Sequence, residues 1–213
     1  EGLFIFLVIS SFLFSGILPV FLGLFAALTR LVGVVLSLAL TLEKKKMIYL
    51  SIAGGLIIFM LYLAYQFHDP LKFLSGQSVF GNARSASLTT LVFPPQVVFR
   101  YLKIFVTASP FHYDFWVALA EMIFFLCAAG GLTLLTWKKK VTGSWLVYSW
   151  FSLLLPTLSG TLSSMPRYVL TIFPLFVGLA LIKRTLVRSI ILTVFIILLA
   201  LFTALFTRGY WVA

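Results

Sequence analysis

The sequence predicts an all-α, polytopic transmembrane helix bundle with about seven spans, and three observations carry that prediction. Of 213 residues, 62% are hydrophobic and only 10% charged, against about 25% charged in a soluble domain. Mean hydropathy is +1.15. The apolar residues fall into long runs, and basic residues stand in short blocks at the ends of those runs. The net charge of +11 and a pI near 10.1 invite a nucleic-acid reading. That distribution excludes it, because the basic blocks are a topology signal. One cysteine excludes a disulfide scaffold, and Cys127, inside an apolar run, is expected to be a small buried hydrophobe.

A helix needs roughly 20 apolar residues to cross about 30 Å of hydrocarbon. Runs of that kind occur at about 2–18, 20–42, 47–65, 116–137, 144–159, 167–182 and 189–207. The first two are separated only by Ser15-Gly16 and Pro19. The opening residues, from Glu1 into Gly2–Phe14, have no basic region and no small-residue cleavage site. Because the chain also starts with Glu1 and not Met, a truncated or split protein is expected, with 1–213 forming a single transmembrane domain. Glu43-Lys44-Lys45-Lys46, Trp137-Lys138-Lys139-Lys140 and Lys183-Arg184…Arg188 are basic turns. Placing all three in the cytoplasm requires an even number of crossings between each pair. The outer loop at 66–115, the segment 160–166 and the tail then face the other side.

Within the outer loop, Asp69-Pro70 is expected to open a short helix that Gly76 ends. Pro94-Pro95 opens a second helix, with Val97, Val98, Tyr101, Leu102 and Phe105 on one face. Gln96, Arg100 and Lys103 lie on or beside the other, which suits a helix in the membrane interface. Tyr113, Phe115 and Trp116 form an aromatic belt at the start of the next crossing.

Charges within the membrane are expensive, at roughly 2.5–3.5 kcal/mol for a central Arg. Arg30 falls inside the second run, on the order of 15 Å from its outer end. It is either a structural ion pair (or a snorkelling side chain) or an anion ligand in a water-filled cavity. Arg167 follows Ser159-Gly160-Thr161-Leu162-Ser163-Ser164-Met165-Pro166, non-helical backbone that is tolerated near membrane depth only beside protein or a polar cavity. Pro166 places Arg167 in the first turn of a helix, where an anion would reconcile the guanidinium with the helix dipole; a structural pair with Asp114 or Glu121 is the alternative. Asp69 is sufficiently explained as a helix cap, while His68, Gln77, Asn82 and Arg84 beside it could build a sugar-binding wall. Glu121 reads as a pairing partner within a span. The sequence has no metal-ligand cluster, P-loop, Gly-x-Gly-x-x-Gly or Gly-x-Ser-x-Gly, so no metal and no cofactor is expected.

Three blocks of sequence resemble a known family. Ser164-Met165-Pro166-Arg167-Tyr168-Val169-Leu170, continuing to Phe173-Pro174-Leu175-Phe176, resembles the C-terminal signature of the GPI mannosyltransferase II (PIG-V) family and its prokaryotic relatives. Leu28-Thr29-Arg30-Leu31-Val32-Gly33 is similar to its Thr-Arg-x-x-Gly segment. Asp69-Pro70-Leu71-Lys72-Phe73-Leu74 with Gln77 and Phe80-Gly81 resembles its outer-loop block. There the family's usual Trp-Gly-Arg is replaced by Phe80-Gly81-Asn82, with Arg84 two places later. Glu1-Gly2-Leu3-Phe4 resembles the Glu-x-Leu-Phe that opens a helix midway through the family.

The resemblance implies a GT-C glycosyltransferase, mannosyltransferase-like, related to GPI-anchor biosynthesis. Such an enzyme moves a sugar from a polyprenyl-phosphate carrier to a lipid or glycan acceptor on the outer or lumenal face. The implied partners are membrane lipid, a lipid-linked donor and that acceptor, with no nucleic acid. The resemblance also implies that this chain is the C-terminal part of a longer membrane protein, with the catalytic acid or base expected upstream of Glu1. Arg167, Arg30 and Arg84 are the expected phosphate ligands. Asp69, His68, Gln77, Tyr168 and Ser164 are expected at sugar or acceptor. A bacterial or archaeal cell membrane is preferred over the endoplasmic reticulum. Two further classes remain: a secondary transporter, which should show inverted repeats that are not found here, and a non-catalytic membrane subunit.

Overall fold

Apolar runs make helices, and in this chain prolines and one turn decide where the helices stop. The structure, a computed structural model, describes residues 1–75 and 92–210. The described residues are all-helical: α1 Gly2–Leu13, α2 Leu18–Thr29, α3 Val35–Lys44, α4 Gly54–Phe67, α5 Lys72–Ser75, α6 Pro94–Thr107, α7 Tyr113–Trp137, α8 Gly143–Leu154, α9 Met165–Leu170, α10 Phe173–Ala180 and α11 Thr185–Thr207. Short 3-10 turns at Leu31–Val34, Met47–Ala53 and Pro156–Ser159 join them. Proline stands in the first two positions of α2, α6, α9 and α10, where its missing N–H costs nothing and its φ is already helical.

Three stretches are helical, long and apolar enough to cross a membrane: Met47–Phe67, Tyr113–Trp137 and Thr185–Thr207. These correspond to the expected runs 47–65, 116–137 and 189–207. The other four runs are divided. Run 2–18 ends at Leu13, and run 144–159 gives up its α-helix at Leu154, just before Pro156. Run 167–182 splits at Thr171–Ile172, before Pro174. At 1.5 Å per residue a 12-residue helix such as α1 or α2 is about 18 Å long, a little over half the hydrocarbon thickness.

The largest departure is in run 20–42, expected as one crossing. It is a hairpin. Arg30 is extended (φ −150°, ψ 139°), and the chain turns back so that α3 runs antiparallel to α2. At the far end of α3, Lys44 Nζ donates to the Phe14 and Ser11 carbonyls, and Tyr49 Oη donates to the Gly16 carbonyl at 3.0 Å. The Ser15–Pro19 turn therefore lies at the same end as Lys44. The reversal depends on Gly33: a Cβ there would lie 2.5 Å from the backbone carbonyl carbon of Ala26. Gly55 allows α4 to approach just as closely, since its Cβ would be 2.9 Å from the Leu24 carbonyl oxygen. Lipid is as apolar as the side chains, so helices in a membrane are held by such close packing and by hydrogen bonds.

The three basic blocks gather at one end of the bundle. Ser144, just after the 138–140 block, donates to Glu43 Oε2 at 2.5 Å. Lys138, Lys140 and Lys183 line one groove. Glu43, at the start of the first basic turn, is thus an inter-helix acceptor. Tyr113, packed against Tyr210 with ring centroids 5.0 Å apart, marks the opposite, aromatic end together with Trp116, whose indole N–H donates to the Pro110 carbonyl at 2.9 Å.

Two apolar cores fill the bundle. One joins Phe4, Val8 and Phe12 of α1 to Leu36 and Leu40 of α3, with Tyr49, Tyr148 and Phe173. The other joins Val97 and Tyr101 of α6 to Met122 and Phe125 of α7, with Leu162, Met165 and Ile172. The packed face of α6 differs from the expected one by one residue: Ile104 contributes to the core and Leu102 is exposed. That face packs on α7. Cys127 is exposed, contrary to expectation, because its side of α7 faces the groove toward α11.

Candidate functional site

Where the half-length helices end, polar side chains meet. A cavity of about 530 Å³ is lined by Thr29 and Arg30 at the end of α2, and by Ser159, Ser163, Ser164, Arg167 and Tyr168 around the start of α9. That volume falls within the range of small-molecule pockets, about 300–1,000 Å³. Leu56 and Phe59 of α4 form one wall, near the middle of the Met47–Phe67 span, and Phe73 and Leu74 form another. The broken backbone at Arg30 and at 155–164 thus borders a polar space, as an apolar solvent requires.

Arg30 is only partly exposed. Its guanidinium forms an ion pair with Glu1 and lies 4.7 Å from the centroid of the Tyr168 ring and 5.8 Å from that of Phe4. The ion pair realises one of the two sequence readings of Arg30, and the cavity lining keeps the other open. The residue does not sit inside a continuous helix as expected. It lies at the apex of the α2–α3 reversal, because Gly33 packs on α2. Tyr168, in contact with both cores, fixes the seam between them at the cavity.

Arg167 is the third residue of α9, in the first turn as expected. Its Nη2 donates to Ser164 Oγ at 2.7 Å. The expected anion site on free helix N–H groups is absent there. Met165 N donates to the Leu162 carbonyl, Pro166 has no N–H, and the amides of Arg167 and Tyr168 both donate to the Ser164 carbonyl. With α9 only six residues long, its dipole adds little as well. The groups this site offers to an anion are therefore guanidiniums and hydroxyls, not free helix amides.

Ser164 is held by a buried carboxylate. It adopts a left-handed backbone (φ 65°, ψ 20°), a conformation costly for a residue with a Cβ. Its amide donates to Glu121 Oε1 at 3.1 Å, while Tyr101 Oη donates to Glu121 Oε2 at 2.6 Å and accepts the Leu162 amide at 3.0 Å. Glu121 is 6% exposed, and this set of bonds ties α6, α7 and the turn before Arg167 into one unit. Arg100 Nη1 adds a bond to the Gly160 carbonyl at 3.3 Å.

Of the residues expected at the site, Arg30, Arg167, Ser164 and Tyr168 come together. His68 and Asp69 do not line the cavity. His68 ends α4 in a left-handed conformation, with its amide on the Ala64 carbonyl. Asp69 accepts the Leu71 amide at 2.9 Å and so caps the turn that leads into α5, which begins at Lys72 and not at Pro70 as expected. Gln77 and Arg84, like Gly76 and Phe80-Gly81-Asn82, lie outside the described residues. Sequence reasoning did not select Ser159 and Ser163, although the hydroxyl-rich run 157–164 was the signal for them. Nor did it select Glu1, whose role depends on the α2–α3 reversal. Among the described residues no group of three or more His, Cys, Asp or Glu could hold a metal ion.

Comparison of the chain with family models, with curated proteins and with solved structures returns no match.

Proposed function

We propose that this chain belongs to a multi-pass membrane glycosyltransferase of the GT-C class, in which Arg30 and Arg167 bind the phosphate of a polyprenyl-phosphate sugar. The single observation behind this reading is that both guanidiniums line one cavity of about 530 Å³ at the level where the helices break. Arg30 is already paired with Glu1, and a bound phosphate would accept charge-assisted bonds from both guanidiniums, with the hydroxyls of Ser159, Ser163 and Ser164 alongside. In this topology the basic end is cytoplasmic and the aromatic end lies outside, where donor and acceptor meet. All seven apolar runs lie within the membrane, four of them as broken or half-length helices.

The test is binding of polyprenyl phosphate, with the uncharged polyprenol as control, to the purified full chain in detergent. Each charged hydrogen bond is worth about 1.5–3 kcal/mol, so Arg30→Ala and Arg167→Ala should each weaken binding of the phosphate by roughly tenfold to a hundredfold. Polyprenol binding should not move. Equal binding of both lipids, or no loss in the double variant, overturns the proposal. Half-length helices around an intramembrane site also favour a secondary transporter. Anion flux into proteoliposomes, without transfer of sugar by the complete protein, would establish that reading instead.

A further inference from the structure

A second, larger space lies on the other side of α9. It is an apolar groove of about 920 Å³ between α7, α10 and α11. Helix α11 contributes little to either core, and none of the 23 residues from Thr185 to Thr207 is buried. Rings join α11 to α7 only in the half toward the aromatic end, at Phe124–Phe202 (6.2 Å between centroids) and at Tyr113–Tyr210. The groove runs on from there toward the basic end. The walls there are Cys127 and Leu134 of α7, Leu175 of α10, and Phe195 and Leu198 of α11, and the mouth carries Lys138, Lys140 and Lys183.

We propose that this groove binds an anionic phospholipid from the leaflet at the basic end, with its phosphate on Lys138, Lys140 and Lys183 and its acyl chains along the apolar walls. Two features select this occupant. The three cations of the groove stand at its mouth, where a headgroup would lie, while Glu121, deeper in the lining, is bonded to the Tyr101 hydroxyl and the Ser164 amide. The open stretch from Lys138 to the Phe124–Phe202 contact is 14 residues, or about 21 Å of helix, enough for the roughly 15 Å of acyl chain in one leaflet. A second copy of the chain is disfavoured, since it would bring its own lysines against these three. Basic pockets between transmembrane helices bind anionic headgroups in this way. The inference does not depend on the reading of the polar cavity.

The experiment is native mass spectrometry of the full chain released from vesicles of phosphatidylglycerol and phosphatidylcholine. The parent should retain phosphatidylglycerol selectively. At the energy typical of a lysine near an anionic headgroup, Lys138→Gln/Lys140→Gln/Lys183→Gln should weaken that retention by at least about tenfold. The control Lys45→Gln/Lys46→Gln/Lys139→Gln removes as much charge from the same end, at residues that do not line the groove, and should change retention less than about twofold. Equal losses in the two variants would reduce the effect to general surface charge and overturn the site. So would equal retention of the two lipids, or efficient bismaleimide cross-linking of two chains through Cys127, which would put a second copy in the groove.

Discussion

The polar cavity and the apolar groove are separated by one short helix, α9, yet they are built on opposite principles. The cavity forms where α2 and α8 stop short, and it collects two guanidiniums and several hydroxyls near mid-span. The groove forms beside helices long enough to cross, and its cations stand only at the mouth. The difference shows how a helical membrane protein brings charge inward. A helix that breaks frees backbone groups that must be satisfied, and the turns that satisfy them carry Arg30, Ser164 and Arg167. A helix that runs through keeps its cations at the ends, and the one carboxylate inside α7, Glu121, is bonded to the Tyr101 hydroxyl and the Ser164 amide.

If the cavity depends on broken helices, disturbing a break should damage it most. Gly33→Val places a side chain against the Ala26 and Ala27 backbone, where no far end of a flexible side chain can give way. The expected loss is about 3 kcal/mol or more, read as a fall in the thermal unfolding midpoint in detergent. A variant that melts with the parent would contradict the α2–α3 reversal. Next, Glu121→Ala leaves the Tyr101 hydroxyl and the Ser164 amide without their buried acceptor. It should cost about 2–3 kcal/mol and weaken polyprenyl-phosphate binding, because the turn before Arg167 loses its anchor. Glu121→Gln, which keeps a carbonyl acceptor, should recover part of both losses; if it is as damaging as alanine, the hydrogen bonds are not what matters there. The smallest effect belongs to a residue outside both regions. Asp69→Ala removes one capping bond, worth roughly 0.5–1 kcal/mol, and should leave phosphate binding unchanged. A large loss of binding would return Asp69 to the site from which its position separates it.

Much of this was legible because hydropathy is local. The three crossing helices, the gathering of the basic blocks at one end, the cap at Asp69 and the helix opened by Pro94-Pro95 all follow from residues within one or two turns of each other. Arg30 and Arg167 also stood out, as charges in or beside apolar runs, whereas Ser164 and Tyr168 were expected at the site through the family resemblance. The reversal at Arg30 was not legible. An unbroken apolar run reads as one crossing, and what divides this one is a backbone contact between Gly33 and Ala26. The helix N-terminus at α9 also misled: Met165-Pro166-Arg167 reads as an open anion site, but the Leu162 and Ser164 carbonyls take up its amides.

The sequence by itself determined that this is a helical protein with segments long and apolar enough to cross a membrane, and it singled out two arginines, because burial of apolar length and exclusion of charge act residue by residue. Only the tertiary structure decided that those two arginines share a cavity, that Tyr168 meets Arg30 across more than half of the chain, and that α11 stands off to leave a groove with lysines at its mouth. Those outcomes depend on which surfaces approach closely enough to touch, and close approach is set by small residues, turns and a buried carboxylate acting together across distant segments.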